Sequence, residues 1–287
     1  MLPVLHRTEL FELDFVDAAT EAEISEILQS PSEIEHRSDR SLPLVVTPNV
    51  DQLVHIANDR SAEASAIVRQ AAYVLPDGQP VVWASRLLGA PLSARLAGST
   101  LVADLWPTLL SEGRQVLVIA NSNDVAARVR AETGATNTTI VAPMFPAGDR
   151  MAITDFAVDC ANLITVEQPE FVFVTLGFPK QCLLISDIVD HCRAAGTNLP
   201  LFLAIGASFD MYYGIVKRAP QWMQRSGLEW LYRFSQEPRR LFRRYFVQDP
   251  YFVVLTWREW RKRHRNRDLV RIDGAIADVS ETFEATP

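Results

Sequence analysis

Short apolar runs rich in β-branched residues alternate along the chain with segments of helical spacing. Six runs predict buried strands, at Leu44–Thr47, Tyr73–Leu75, Val116–Ala120, Thr139–Ala142, Phe171–Leu176 and Leu201–Ile205. The helical segments between them include Asp51–Val68, Val81–Leu88, Leu101–Leu110, Asp124–Glu132, Ile153–Val166 and Leu183–Ala194. Strands that alternate with such helices form βαβ units. The pattern therefore predicts an α/β, Rossmann-like parallel sheet with helices on both faces.

Polar or glycine-rich turns follow four of the predicted strands, at Thr47–Asn49, Pro76–Gly78, Gly177–Gln181 and Gly206–Asp210. In parallel sheets, ligands bind outside the carboxyl ends of the strands. Any one of these turns could serve only to cap a helix, as Asn49 or Asp77 would. Four of them at one edge of the sheet predict a shared site.

After Gly214 the strand pattern stops, and helical segments rich in aromatic residues and arginine begin. Lys217–Arg267 contains 14 Lys and Arg against four Asp and Glu, although the whole chain has a net charge of −7. Such a basic, amphipathic segment is typical of helices on an anionic membrane surface. Nucleic acid is the rival partner, but the rest of the chain is acidic and has no known nucleic-acid-binding motif. We expect a core over 1–213, an appendage over 214–265 and a poorly ordered tail over 266–287.

Composition and the spacing of cysteines and histidines limit the kinds of site that the chain can form. Hydrophobic residues make up 48% of the 287 positions, enough for a substantial core. Cys160, Cys182 and Cys192 have no CxxC spacing, and the five histidines form no HExxH motif, so we expect a reduced cytoplasmic setting without a metal or cofactor. The N-terminus lacks the apolar run of a signal peptide, and no uncharged stretch reaches the ~20 residues that cross a bilayer.

Four segments carry a resemblance to a known family: TPNVDQLVHIAND (47–59), VLPDGQPVVWASRLLGAPLSARLAGSTLVADL (74–105), VTLGFPKQ (174–181) and AIGASFDMYYGIVKRAPQWMQRSGLEWLYRFSQEPRRLFRRYF (204–246). Over roughly residues 43–255 the chain resembles the WecG/TagA/CpsF glycosyltransferases, glycosyltransferase family 26. The resemblance implies inverting, metal-independent transfer of a sugar, often N-acetylmannosamine, from UDP to an undecaprenyl-diphosphate-linked saccharide. It also implies an appendage that binds the inner face of the plasma membrane and completes the active site. The resemblance leaves open whether the protein forms a homo-oligomer.

The resemblance also assigns roles to individual residues. It makes Asp77 the base that deprotonates the acceptor hydroxyl, an essential step of inversion. Thr47, grouped with Asp77 as catalytic, and Asn49 would hold sugar hydroxyls. Further substrate contacts are expected from Arg95, Gly98 and Ser99 near the departing UDP, from Gln181, Gly206 and Asp210 in the other turns, and from the appendage residues Arg233, Arg240 and Arg243 on the diphosphates.

Three segments depart from the family pattern. Cys182 stands where a glutamate usually follows the Pro-Lys-Gln motif, and the turns at Ala120–Asn123 and Ala142–Pro146 differ from the family's. These changes bear on the identity of the donor. Two other functions compete with that of a glycosyltransferase. A dinucleotide-dependent oxidoreductase lacks its GxGxxG turn here. A non-catalytic, membrane-peripheral scaffold of the same fold is favoured only by the missing glutamate.

Overall fold

The computed structural model describes residues 6–29, 42–58, 61–134, 137–146, 149–217, 219–220, 222–223 and 227–265. Within them, eight strands form one sheet, and their bounds are β1 His6–Leu10, β2 Leu13–Asp17, β3 Leu42–Val46, β4 Ala71–Val74, β5 Val116–Ala120, β6 Thr138–Val141, β7 Phe171–Val174 and β8 Leu201–Ala204. The strand order is β1-β2-β4-β3-β8-β7-β5-β6. Every neighbouring pair is parallel except β1 and β2.

Successive residues of the central strands point to opposite faces of the sheet, as the pleat requires. Val172 and Val174 of β7 pack into one apolar cluster, whereas Phe171 and Phe173 pack into another. The helices that cover these clusters are α1 Glu21–Leu28, α2 Val50–Ala57, α3 Ala62–Arg69, α4 Gln79–Leu87, α5 Gly98–Ser111, α6 Asn123–Thr133, α7 Arg150–Glu167, α8 Lys180–Ala194 and α9 Ser208–Tyr212. The predicted α/β fold with a two-faced sheet is confirmed.

Two details of the predicted core were wrong. The hairpin β1–β2 was not expected, because the residues that reverse it are Phe11 and Glu12, with φ of 54° and 61°. Such two-residue turns usually carry Asn or Gly, so this one has no sequence signal. The single helix predicted over Asp51–Val68 is two helices: Asn58 ends α2, and Ser61 precedes α3.

The described residues of the appendage include the helices α10 Glu229–Gln236, α11 Pro238–Arg243 and α12 over 251–265, with a π-helical turn at Arg244–Gln248. Glu237 leaves the helical region (φ −132°, ψ 60°), so α10 ends immediately before Pro238. No helix in the described part of the chain is long and apolar enough to cross a bilayer. The expected tail over 266–287 lies outside the described residues.

The appendage packs against the N-terminal hairpin. The ring of Phe252, in α12, lies 5.4 Å from that of Phe11, and both side chains are buried. Arg263, two turns beyond Thr256, donates a hydrogen bond to the carbonyl oxygen of Glu9. The unexpected hairpin therefore supports the helices that reach over the carboxyl edge of the sheet.

Candidate active site

A cavity of about 300 Å³ lies between the core and the appendage. Its core wall comes from the turns after β3 and β4 and from the loop before α5, and includes Asn49, Asp77, Gln79 and Arg95. Its appendage wall includes Glu229, Trp230, Arg233, Arg244, Tyr245 and Phe246. The fold thus places polar core residues opposite arginines and aromatic rings.

Asp77 lies in a turn that the backbone holds firmly. Its N–H donates to the carbonyl of Pro48 at 3.3 Å, and the N–H of Leu96 donates to Pro76 at 2.8 Å. The N-cap of α4 is Gly78, at φ 104°, and not Asp77. The capping explanation therefore does not apply, and the carboxylate of Asp77, which is 30% exposed, lines the cavity.

Arg95 connects the two walls. Its Nη1 donates to Glu229 Oε2 at 2.9 Å, and its Nε lies 3.8 Å from Asp77 Oδ1. Burial opposes the charge, but the Asp77 and Glu229 carboxylates outweigh it and hold the pKa of Arg95 above its ordinary value. The guanidinium therefore stays cationic between two carboxylates, one from the core and one from the appendage.

Asn49 has two roles. Its Oδ1 accepts from the N–H of Gln52 at 3.3 Å, capping α2, and also from Arg244 Nη2 at 3.2 Å. Arg244 Nε lies 3.5 Å from Asp51 Oδ2 and 3.9 Å from Asp249 Oδ2. Burial, reinforced by Asp51 and opposed by Arg244, raises the pKa of Asp249 to about 6. Neither Arg244 nor Asp249 was among the predicted site residues, although Asp249 stands out as an acid in a basic segment.

The expected appendage arginines fall into different places. Arg233 lines the cavity, whereas Arg243 is exposed and does not line it. The side chain of Arg240 lies outside the described part of the structure. The neighbouring Arg244, from the π-helical turn, occupies the cavity wall instead.

The remaining predicted residues lie outside the cavity lining, and several form a second polar group. An added Cβ on Gly98 would lie 3.1 Å from the hydroxyls of both Thr47 and Ser208, so glycine allows this close approach. Asn121 Nδ2 donates to Asp210 Oδ2 at 3.0 Å, and burial raises the pKa of Asp210 despite that bond. The others are Ser99 at the start of α5, Gly206 at φ 55° and the buried Gln181.

Two buried side chains near the start of α8 lie at, or next to, a position where the sequence departs from the family pattern. Gln181 Oε1 has no hydrogen-bond partner within the described residues. Cys182 is fully buried, and burial raises the pKa of its thiol to about 12, so it is a packing residue and not a nucleophile. The described residues include no group of three or more His, Cys, Asp or Glu that could hold a metal ion.

A parallel sheet whose polar turns at the carboxyl edge face arginines of the appendage is typical of α/β enzymes that bind anionic ligands. Sequence comparison specifies which kind. The chain belongs to the Glycosyl transferase WecG/TagA/CpsF family, whose sequence model matches residues 10–266.

Two relatives have the same curated name, N-acetylglucosaminyldiphosphoundecaprenol N-acetyl-β-D-mannosaminyltransferase. The protein from Bacillus spizizenii is 30% identical over 233 residues, which cover 80% of this chain and 83% of the relative. The protein from Bacillus subtilis is 28% identical over 208 residues, which cover 71% and 76%.

Proposed function

We propose that this chain is an inverting, metal-independent glycosyltransferase. It would move N-acetylmannosamine, a related hexosamine or glucose from UDP to a saccharide linked to a polyprenyl diphosphate, in the synthesis of a cell-surface polysaccharide. The observation that carries the proposal is the carboxylate of Asp77 in a cavity closed by the arginines of the appendage. The names of the two relatives support the lipid-linked acceptor.

The proposed reaction is a single displacement. Asp77 accepts the proton of the acceptor hydroxyl while its oxygen attacks the anomeric carbon, and the bond from that carbon to the UDP oxygen breaks on the opposite face. Inversion follows from this geometry. Negative charge that develops on the diphosphate needs cationic donors, and Arg233 and Arg244 line the same cavity. Arg95 is held by a hydrogen bond of 2.9 Å to Glu229, whereas the two carboxylates beside Arg244 lie farther away, at 3.5 Å and 3.9 Å.

The second polar group would hold the rest of the donor. Asp210 offers a buried carboxylate bonded to the amide of Asn121, and Thr47 and Ser208 offer hydroxyls beside Gly98. Hydroxyls and amides of this kind suit a sugar or a nucleoside, whose donors and acceptors lie at fixed positions. A thermal-shift comparison of UDP-linked N-acetylmannosamine, N-acetylglucosamine, glucose and galactose would identify the preferred donor, since ligand binding raises the melting midpoint.

The appendage would hold the enzyme at the cytoplasmic leaflet. Exposed apolar side chains occur along it beside arginines, including those of Phe242, Phe246, Val247, Val253, Trp257 and Trp260. Aromatic rings and arginines together favour the interface of an anionic membrane. The polyprenyl diphosphate of the acceptor lies at the same interface.

The direct test is transfer from UDP-N-acetylmannosamine to a short-chain analogue of N-acetylglucosaminyl diphosphoundecaprenol, with the product's anomeric configuration read by NMR. Asp77→Asn should lower turnover by about 10²–10⁴-fold, the usual worth of a general base, with little change in UDP affinity. EDTA should leave transfer intact. Near-normal turnover of Asp77→Asn would refute the assigned base. Vesicle binding without transfer from any UDP-sugar would favour the scaffold alternative.

A further inference from the structure

Arg95 is the shared partner of a core carboxylate and an appendage carboxylate, which are contributed by distant parts of the chain. Glu229 lies 134 positions from Arg95 and accepts a hydrogen bond from it at 2.9 Å. Asp77 lies at 3.8 Å, beyond ordinary hydrogen-bond distance. The side chains of Arg95 and Glu229 are only 14% and 19% exposed, so water screens this contact weakly. The guanidinium is thus directed mainly at the appendage and only secondarily at the proposed base.

We propose that Glu229 is a positioning residue that couples the seating of the appendage to the strength of Asp77 as a base, by holding the guanidinium of Arg95. This inference rests on the proposed function, because it assumes that Asp77 is the base. The reaction proposed above gives Glu229 no role, and neither does the family resemblance.

The physical reason is a competition for one cation. A guanidinium that pairs closely with a carboxylate stabilises its charged form and weakens it as a base. Glu229 offsets the charge of Arg95 and holds it in a bond of 2.9 Å. If the appendage were lifted from the core, Glu229 would leave with it, and Arg95 would be able to pair closely with Asp77. The base is then weak while the cavity is open to water, and strong only when the appendage covers it.

The other charged groups around the cavity come from several elements. Arg233 in α10, Arg244 in the π-helical turn and Asp249 after it line the same space as Asp77. Glu21 of α1 acts on Arg95 at longer range, and Asp51 of α2 approaches Arg244. These groups contribute to the electrostatic potential in the cavity. Glu229 differs from them because it pairs with Arg95, the cation nearest to Asp77 among the ion pairs of the described residues.

A consequence for the reaction follows. A base that is active in an open cavity would deprotonate water, which would attack the anomeric carbon and release free sugar and UDP. Because the base is strong only under the seated appendage, this loss is suppressed while the cavity is open to water. Glu229→Gln should therefore lower both transfer and donor hydrolysis by the seated enzyme.

The test compares pH profiles of kcat/KM on the soluble acceptor analogue with UDP-N-acetylmannosamine. Glu229→Gln should move the acidic limb of the profile to lower pH by about one unit and lower the plateau several-fold. Glu229→Asp should restore part of the plateau. Glu259→Gln is the charge-matched control: Glu259 is also in the appendage, but it pairs with Arg263 at 2.9 Å and does not line the cavity. Its profile should match the wild type.

A double-mutant cycle shows whether Glu229 acts through Arg95. In the Arg95→Gln background, Glu229→Gln should cause no further shift of the acidic limb. A shift of full size in that background would overturn the proposal. An unmoved acidic limb in Glu229→Gln, together with a uniform loss of rate, would also overturn it, because that result would show that Glu229 has a purely structural role. Survival of the acidic limb in Asp77→Asn would instead refute the base, and with it that part of the proposed function.

Discussion

Carboxylates at the junction of core and appendage have different surroundings, and their chemistry differs accordingly. Asp77 faces the cavity beside a cation, and Glu229 is bonded to the same cation. Asp249 lies in a poorly solvated position, where its Oδ1 is buried and has no hydrogen-bond partner within the described residues. A carboxylate kept from water without full compensation is destabilised in its charged form. Asp249 therefore costs the folded protein stability at neutral pH.

This cost leads to a prediction for Asp249→Asn. The pKa of Asp249 is raised to about 6 in the folded protein, above an ordinary value of about 3.9 in the unfolded chain. The folded state then binds the proton more tightly, so the favourable contribution to unfolding free energy is present below pH 4 and is lost as the pH rises through 6. The amide should stabilise the protein at pH 7.5 by about 1 kcal/mol, discounted for partial exposure, and not at pH 4.

Thermal unfolding of both proteins at the two pH values measures this difference. A gain of that size corresponds to about 2 °C in the midpoint for a chain of this length. A loss of equal size at both pH values would contradict the prediction. It would show that the carboxylate contributes contacts to Arg244 that matter more than its desolvation.

At the scale of elements, backbone breaks in the appendage decide which arginines reach the cavity. One helix through residues 229–248 would bring Arg233, Arg240 and Arg243 near one face. Instead, α10 stops before Pro238, which cannot continue a hydrogen-bonded helix. The N–H of Asp249 then donates to the carbonyl of Arg244 at 2.8 Å, five residues back, as in a π-turn. Arg244 faces the cavity, and Arg243 stays exposed.

Two neighbouring arginines therefore form a matched pair for mutation. Arg244→Gln should lower kcat/KM on the soluble acceptor analogue by about 10–100-fold, the worth of a charge-assisted hydrogen bond or two. Arg243→Gln removes the same charge one position earlier and should change it by less than about threefold, within the range of surface substitutions. Equal losses would mean that the appendage rearranges on substrate binding and brings Arg243 inward.

At the scale of the whole molecule, charge and exposed apolar area are segregated. The segment Lys217–Arg267 is strongly basic within a chain of net charge −7. Among the described residues, the same segment exposes Trp257 and Trp260 on the outer side of α12, whereas Phe252 faces inward. An anionic surface attracts this end and repels the acidic core. The molecule should therefore approach a membrane in one orientation, with the cavity beside the bilayer.

The prediction concerns vesicles that contain phosphatidylglycerol. Replacing Trp257 and Trp260 by Ser should weaken cosedimentation by about tenfold or more, because two interfacial aromatic anchors are lost. Turnover on the soluble acceptor should be retained. Met151→Ser, which removes an apolar side chain of 74% exposure from α7, should change neither quantity. Raised salt should weaken binding of the wild type. Unchanged cosedimentation of the double variant would place the membrane contact elsewhere.

Much of the site could be located from sequence because it depends on local patterns. Apolar runs predicted six of the seven strands that pair in parallel, all except β2, and the turns at Thr47–Asn49 and Pro76–Gly78 follow two of them directly. Strand ends meet at one edge of a parallel sheet, so Asp77 and Asn49 came together as expected. The hairpin at Phe11 and Glu12 escaped because neither residue is typical of such a turn.

The sequence by itself determined the α/β class, the edge of the sheet that carries the site and the basic character of the appendage, since each depends on periodicity or composition within a short window. Only the tertiary structure decided that Arg95 pairs with Glu229, that Arg244 takes the cavity wall in place of Arg243, and that Asp249 is poorly solvated. These outcomes depend on how the appendage lies across the sheet. That placement follows from contacts such as Phe11 with Phe252, between residues far apart in the chain, which no local pattern encodes.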